Sequence, residues 1–128
     1  MIKEGPMDGD REIGKDEVLT ALRGMKAAGM HAYETADPRA IPVQALLDAW
    51  WAQIQAKAKQ ESTPAAAIRA SVARNLILVE AGYDDREMID SVCDWLEHDQ
   101  DDAERIKDAG LVAEIGVKID ELKARLRS

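Results

Sequence analysis

Several residue types are scarce in this chain of 128 residues. Cys93 is the single cysteine and there are only two histidines, which excludes an intrachain disulfide and a metal site built from several thiolates. No apolar run approaches the roughly 20 residues that a membrane-spanning helix requires. The amino terminus carries charges and glycines where a signal peptide needs an apolar core. We therefore expect a cytoplasmic protein that does not bind membranes.

Basic residues are outnumbered as well. The chain has 17 Lys and Arg against 25 Asp and Glu, which gives a net charge of −8 and an isoelectric point near 4.7. Binding to nucleic-acid phosphates calls for clustered Lys and Arg, so we expect no direct nucleic-acid binding. Residues 80–108 hold twelve of the acidic residues and three of the basic ones, so this segment alone is nine charges negative.

Phenylalanine is absent, and aliphatic residues, above all Ala and Leu, supply most of the apolar 46%. Segments rich in Ala and Leu favour helix, and no segment alternates with the period of two that strands require. The sequence predicts an all-α fold, a bundle of about five helices whose last two form an antiparallel hairpin. We expect a single domain over residues 15–128, preceded by a flexible arm at residues 1–14, which is rich in glycine and charge.

Capping residues and first-turn prolines mark where the helices begin. The predicted starts are at Asp16, Pro42, Ser62-Thr63-Pro64, Asp84-Asp85 and Asp108. The first helix is expected to carry Val18, Leu19, Leu22, Met25 and Tyr33 on one face and to end before Asp37-Pro38. In the third helix, residues 76–79 are apolar nearly all round, which predicts burial at the centre of the core.

The second helix has a row of alanines opposite its main apolar stripe. The row consists of Ala45, Ala49, Ala52 and Ala56. Small side chains in a row allow a second helix to approach closely. Alanine is also a good helix former on an exposed surface, so the pattern leaves both interpretations open.

Asp99 falls on the apolar stripe of the predicted fourth helix. Either the helix breaks near residues 98–100, or the carboxylate faces the core and needs a partner such as Arg69 or Arg74, the only charged residues within the third helix before Glu80. A buried and unpaired carboxylate would be costly, so we expect the break.

Patterns typical of catalytic and cofactor sites are absent from the sequence. A di-iron bundle needs Glu-x-x-His pairs, but Ala28 and Trp95 stand three residues before His31 and His98. Residues 99–104 lack an oxygen ligand and the glycine of an EF-hand loop. A helix, a turn at Gly82 and a second helix follow one another as in a helix-turn-helix motif. The second helix, which would enter the DNA groove, is acidic, and DNA phosphates would repel it. We expect no catalytic residues and no cofactor, and the sequence argues against an enzyme without excluding one.

The acidic helix and one tryptophan form the candidate interaction surface. Trp51 stands at the edge of the stripe that contains Trp50, a place typical both of interface residues and of residues that cover the rim of a core. The sequence indicates a non-catalytic interaction module, an adaptor, accessory subunit or regulator that binds another protein with a basic surface and forms homo-oligomers such as a homodimer. The predicted interaction residues are Trp51, Asp90, Asp94, Glu97 and Asp101.

Two other functions stay open at this point. The carboxylates of the fourth helix could imitate nucleic-acid phosphates and inhibit a nucleic-acid-binding protein by occupying its basic site. Alternatively, Glu87, Asp90 and Asp94 could hold a divalent metal in a small enzyme or metal-binding protein. The first function predicts binding that weakens as salt rises, and the second predicts a melting temperature that rises with added magnesium or manganese.

Overall fold

A computed structural model gives the fold of the protein and describes residues 11–127. Over this range the chain forms five α-helices and no strand, which confirms the prediction of an all-α bundle. The helices are α1 (Lys15–Ala27), α2 (Ala40–Glu61), α3 (Pro64–Glu80), α4 (Arg86–Arg105) and α5 (Ala109–Arg127). None of these helices is long and apolar enough to cross a membrane.

Three of the helix starts use the predicted capping side chains. The Thr63 hydroxyl accepts a hydrogen bond from the Ala66 N–H, with Pro64 at the first helical position, and the Asp85 carboxylate accepts one from the Met88 N–H. Asp108 does the same for the Leu111 N–H at the start of α5. Each cap satisfies a backbone donor that has no partner inside the helix.

The prediction for α1 was wrong about its N-cap and about where it ends. The helix begins at Lys15 with Gly14 as N-cap, so Asp16 lies in the first turn, where the helix dipole favours a carboxylate. Gly29 adopts φ +86°, and the Met30 N–H bonds back to the Met25 carbonyl, which closes the helix in a Schellman motif. Tyr33 therefore stands outside the helix, where its side chain is 56% exposed instead of packed on the apolar face.

α3 is the central helix and contributes to both main apolar clusters. Ile77 and Leu78 pack with α1 and α2, whereas Ile68 and Val79 pack with α4 and α5. Ile77, Leu78 and Val79 are buried, as their nearly all-round apolar pattern predicts, and Leu76 is half-buried. α3 thus joins α1 and α2 on one side to α4 and α5 on the other.

Within the described part of the chain, Ala49 is the one member of the alanine row that packs against the core. Ala45, Ala52 and Ala56 are exposed and Ala49 is half-buried. Of the two interpretations of this row, the structure favours alanine as a helix former on the surface.

The predicted flexible arm is described only at residues 11–14, since residues 1–10 lie outside the described range. Within those four residues, the Ile13 N–H donates to the Gln53 Oε1 at 2.8 Å, and the Gln53 Nε2 donates to the Arg11 carbonyl at 2.6 Å. The Ile13 side chain is buried in the cluster with α1 and α2. This last part of the arm is therefore fixed on α2.

α4 and α5 pack along each other with contacts at both ends. Arg125 pairs with Asp84 just before α4, and the Arg86 guanidinium donates to the Leu126 carbonyl. At the other end of α4, the Gln100 amide donates to the Val112 carbonyl. An antiparallel hairpin requires contacts in this order, although the hairpin itself stays a prediction.

Candidate functional site

α4 runs without interruption past Asp99 as far as Arg105, so the predicted break near residues 98–100 was wrong. The Asp99 side chain points into the protein and is only 5% exposed. Burying an unpaired carboxylate would be costly, but the Asp99 carboxylate accepts hydrogen bonds from neighbouring side chains. The helix can therefore continue through this position.

The donors come from two residues one turn apart on α3. The Ser71 hydroxyl donates to Asp99 Oδ1 and the Asn75 amide donates to Asp99 Oδ2, each at 2.7 Å. Neither is the arginine partner that the sequence suggested, and Arg69 instead pairs with Glu114 of α5 at 2.8 Å. Burial raises the pKa of Asp99, and the two donors offset part of that shift. Their i,i+4 spacing on α3 was the signal that sequence reasoning missed.

The predicted acidic interaction residues lie on the opposite side of α4. Asp90, Asp94, Glu97 and Asp101 are all exposed. At 3.6 residues per turn they fall within an arc of about 60°, roughly 180° from Asp99, and at 1.5 Å rise per residue they extend over about 16 Å. We call these four residues the acidic row.

One member of the acidic row is neutralised within residues 11–127. Glu97 accepts a hydrogen bond from Lys123 of α5 at 3.3 Å. Asp90, Asp94 and Asp101 have no Lys, Arg or His of the described part within ion-pair distance. Carboxylates spaced by three or four residues on a helix repel each other, so the row is a concentrated and largely uncompensated negative charge.

Trp51 lies on a different surface from the acidic row. Its half-buried side chain lines a groove of about 580 Å³ between α2 and α3, together with Lys59 and Ser71. α2 packs on α1 and α3, whereas the acidic row is turned away from α3. The structure therefore does not bring Trp51 and the acidic row together into one site.

Cys93 is a buried residue of the cluster formed by α3, α4 and α5. Burial is the main cause that raises the pKa of its thiol. The positive charge of Lys123 lowers this pKa, and the carboxylates of Glu97, Asp90 and Asp94 raise it. A thiol with a raised pKa is protonated at neutral pH and is a poor nucleophile. Cys93 therefore has the character of a small core residue.

The residues proposed as metal ligands do not form a coordination site. In the described range, no three His, Cys, Asp or Glu side chains lie close enough together to hold a metal ion. Glu87, Asp90 and Asp94 follow one another along the exposed side of α4 and do not converge on a common point. The geometry gives no support to a metal-dependent function through these residues.

A recess that sequence reasoning missed lies between the loop after α1 and the loop after α3. It encloses about 700 Å³ and is bounded on one side by the first turns of α4. The Tyr83 hydroxyl donates to the Met30 carbonyl at 2.8 Å, which ties the two loops together, and burial raises the pKa of that phenol. The signal in the sequence was a glycine followed closely by a tyrosine in each loop, Gly29 with Tyr33 and Gly82 with Tyr83.

Comparison of the chain with protein-family models, with curated proteins and with solved structures gives no match.

Proposed function

We propose that the protein is a non-catalytic interaction module whose acidic row docks on a basic surface of another protein. The observation that supports this proposal is that, in the described part of the chain, most carboxylates of the row have no cationic side chain beside them. Asp90, Asp94 and Asp101 have no cationic partner among residues 11–127, although other exposed carboxylates of the bundle, such as Glu114 and Asp84, pair with arginines of neighbouring helices.

The row is maintained at a cost to the helix. Each like-charge pair at i,i+4 destabilises a helix by about 0.2–0.5 kcal/mol. α4 tolerates this cost because its opposite side is deeply buried, with Val92 and Leu96 fully inaccessible to solvent. A basic partner would relieve the repulsion, and complementary charge would also accelerate association.

A labelled helical peptide with four arginines at successive spacings of four, three and four residues is a suitable probe, because its charges match the spacing of the row. We expect binding, measured by fluorescence anisotropy, to weaken steeply as the salt concentration rises. The variant Asp90→Asn/Asp94→Asn/Asp101→Asn should bind the peptide at least tenfold more weakly, on the order of 0.5 kcal/mol or more for each lost contact.

The matched control is Asp16→Asn/Asp48→Asn/Glu61→Gln. These three carboxylates are exposed on α1 and α2, so the control changes the net charge by the same amount away from the row. The control should bind nearly as well as the wild type. Equal weakening in the two triple variants would mean that only the net charge matters and would refute docking at the row.

A further inference from the structure

The recess between the two loops is continuous with the acidic row. Glu87 and Ser91, one turn apart on α4, both line the recess. Glu87 lies about 60° from Asp90 around the helix axis, so the mouth of the recess adjoins the first residue of the row. The recess volume of about 700 Å³ is within the range of about 300–1,000 Å³ that is typical of ligand sites.

The charge of the recess favours a cation. Three carboxylates line it, those of Asp84, Asp85 and Glu87, against one ammonium, that of Lys26. Arg125 neutralises Asp84, and Asp85 is engaged as the N-cap of α4. The Glu87 carboxylate has no cation of the described chain within ion-pair distance, so it is available to an incoming positive charge.

The walls of the recess favour a flat cation with an apolar stem. Tyr33 is 56% exposed, and Tyr83, whose hydroxyl is anchored on the Met30 carbonyl, also lines the recess. Met30 and Met88 supply adaptable apolar surface. A guanidinium group stacks on an aromatic ring while its fork of N–H donors binds a carboxylate, a combination that an ammonium group does not match.

We propose that this recess receives an arginine side chain of the basic protein that docks on the acidic row. The inference rests on the proposed function and adds an anchor to it. The guanidinium pairs with Glu87 and stacks on Tyr33, while the aliphatic stem lies against the methionines. Lys26 opposes this binding through its charge, and its aliphatic part packs beside Gly82, where a Cβ would come within 3.2 Å of the Lys26 Cδ.

The test compares the arginine peptide with a counterpart in which every arginine is replaced by lysine. Both peptides have the same charge and the same spacing, so a preference for the arginine peptide that Tyr33→Ala removes belongs to the recess and not to the acidic row. We expect the wild type to prefer the arginine peptide by about three- to tenfold, the effect of one cation–π contact with a guanidinium. Tyr33→Ala should abolish this preference, and Glu87→Gln should weaken binding of the arginine peptide.

Two further variants sharpen the test. Lys26→Gln should strengthen binding of the arginine peptide, because it removes the one ammonium group that lines the recess. Glu104→Gln is the matched control for Glu87→Gln, since Glu104 is an exposed carboxylate near the other end of α4. Tyr33 is exposed and lies outside the helices, so its replacement should leave the circular dichroism spectrum unchanged.

The possible outcomes separate the inference from the proposed function. If the wild type binds neither peptide at low salt, the proposed function fails and the anchor fails with it. If both peptides bind equally and the Tyr33 and Glu87 variants match the Glu104 control, the anchor alone is refuted. Shifts of the Gly29 and Gly82 amide resonances on adding the arginine peptide would support the anchor. Shifts confined to residues 90–101 would overturn it.

Discussion

Asp99 provides the sharpest test of the structure, because a buried carboxylate with two neutral donors responds both to mutation and to pH. The perturbation is Ser71→Ala, which removes the hydroxyl that donates to Asp99 Oδ1 at 2.7 Å. A hydrogen bond to a charged group contributes about 1.5–3 kcal/mol. Ser71 is half-buried, so we expect a loss of about 1.5 kcal/mol in the free energy of unfolding at neutral pH.

The loss in stability should depend on the charge of Asp99. In an Asp99→Asn background the acceptor is neutral, and the hydrogen bond contributes only about 0.5–1.5 kcal/mol. The double-mutant cycle between Ser71→Ala and Asp99→Asn should therefore give a coupling energy of up to about 1 kcal/mol. Ser91→Ala, which changes a half-buried serine of α4 at the recess, is the control and should show no coupling.

The pH dependence has a definite sign. Burial raises the pKa of Asp99 above its ordinary value of 3.8, so the folded state binds this proton more tightly than the unfolded chain does. The stabilisation linked to this proton is complete below the unfolded pKa and is lost as the pH rises through the folded pKa. The loss is about 1.36 kcal/mol for each unit between the two pKa values.

Urea unfolding of the wild type and of Asp99→Asn across this pH range provides the measurement. Comparing the two proteins cancels other titrating groups, such as Asp37, whose pKa the Arg39 guanidinium lowers to about 2. The stability of the wild type relative to Asp99→Asn should fall as the pH rises from 4 toward neutrality. A difference that is flat with pH, or one that grows as the pH rises, would refute the buried position of the carboxylate.

Two further predictions concern other parts of the bundle. Lys107 adopts φ +60° after α4, so Lys107→Gly should raise the free energy of unfolding by about 0.5–1 kcal/mol by relieving left-handed strain. Lys107→Ala should give no such gain, and equal effects of the two variants in urea unfolding would contradict the explanation. We also expect the wild type to self-associate through the groove that Trp51 lines, and Trp51→Ala to lower the mass measured by light scattering. A strictly monomeric wild type would contradict that expectation.

The local features of the fold were predictable because they depend on neighbours in sequence. Thr63 with Pro64, Asp85 and Asp108 satisfy backbone donors within their own first turns, so their positions could be read from the chain. The apolar pattern of residues 76–79 likewise indicated burial from periodicity alone. The end of α1 was missed because apolar spacing suggested a helix that continued to Tyr33, whereas the turn at Gly29 ends the helix at Ala27, six residues before Tyr33.

The predicted interaction surface was only partly accessible to sequence reasoning. The spacing of Asp90, Asp94, Glu97 and Asp101 placed them on one side of a helix. Their lack of cationic partners depends on which basic side chains the neighbouring helices bring near, and only Lys123 reaches the row within residues 11–127. The recess beside Glu87 joins two loops more than 50 residues apart, as the Tyr83–Met30 hydrogen bond shows, and such a contact leaves little trace in local patterns.

The sequence by itself determined that this is an acidic, all-α chain and that Asp99 stands on the apolar side of its fourth helix. Periodicity and capping are properties of single helices, so they appear in the order of residues. The tertiary structure decided what happens to that carboxylate. Packing of α3 on α4 supplies Ser71 and Asn75 as donors, and the helix continues where an unpaired carboxylate would have ended it. The same packing turns the acidic row outward, because the row lies on the side of α4 opposite Asp99 and its donors on α3.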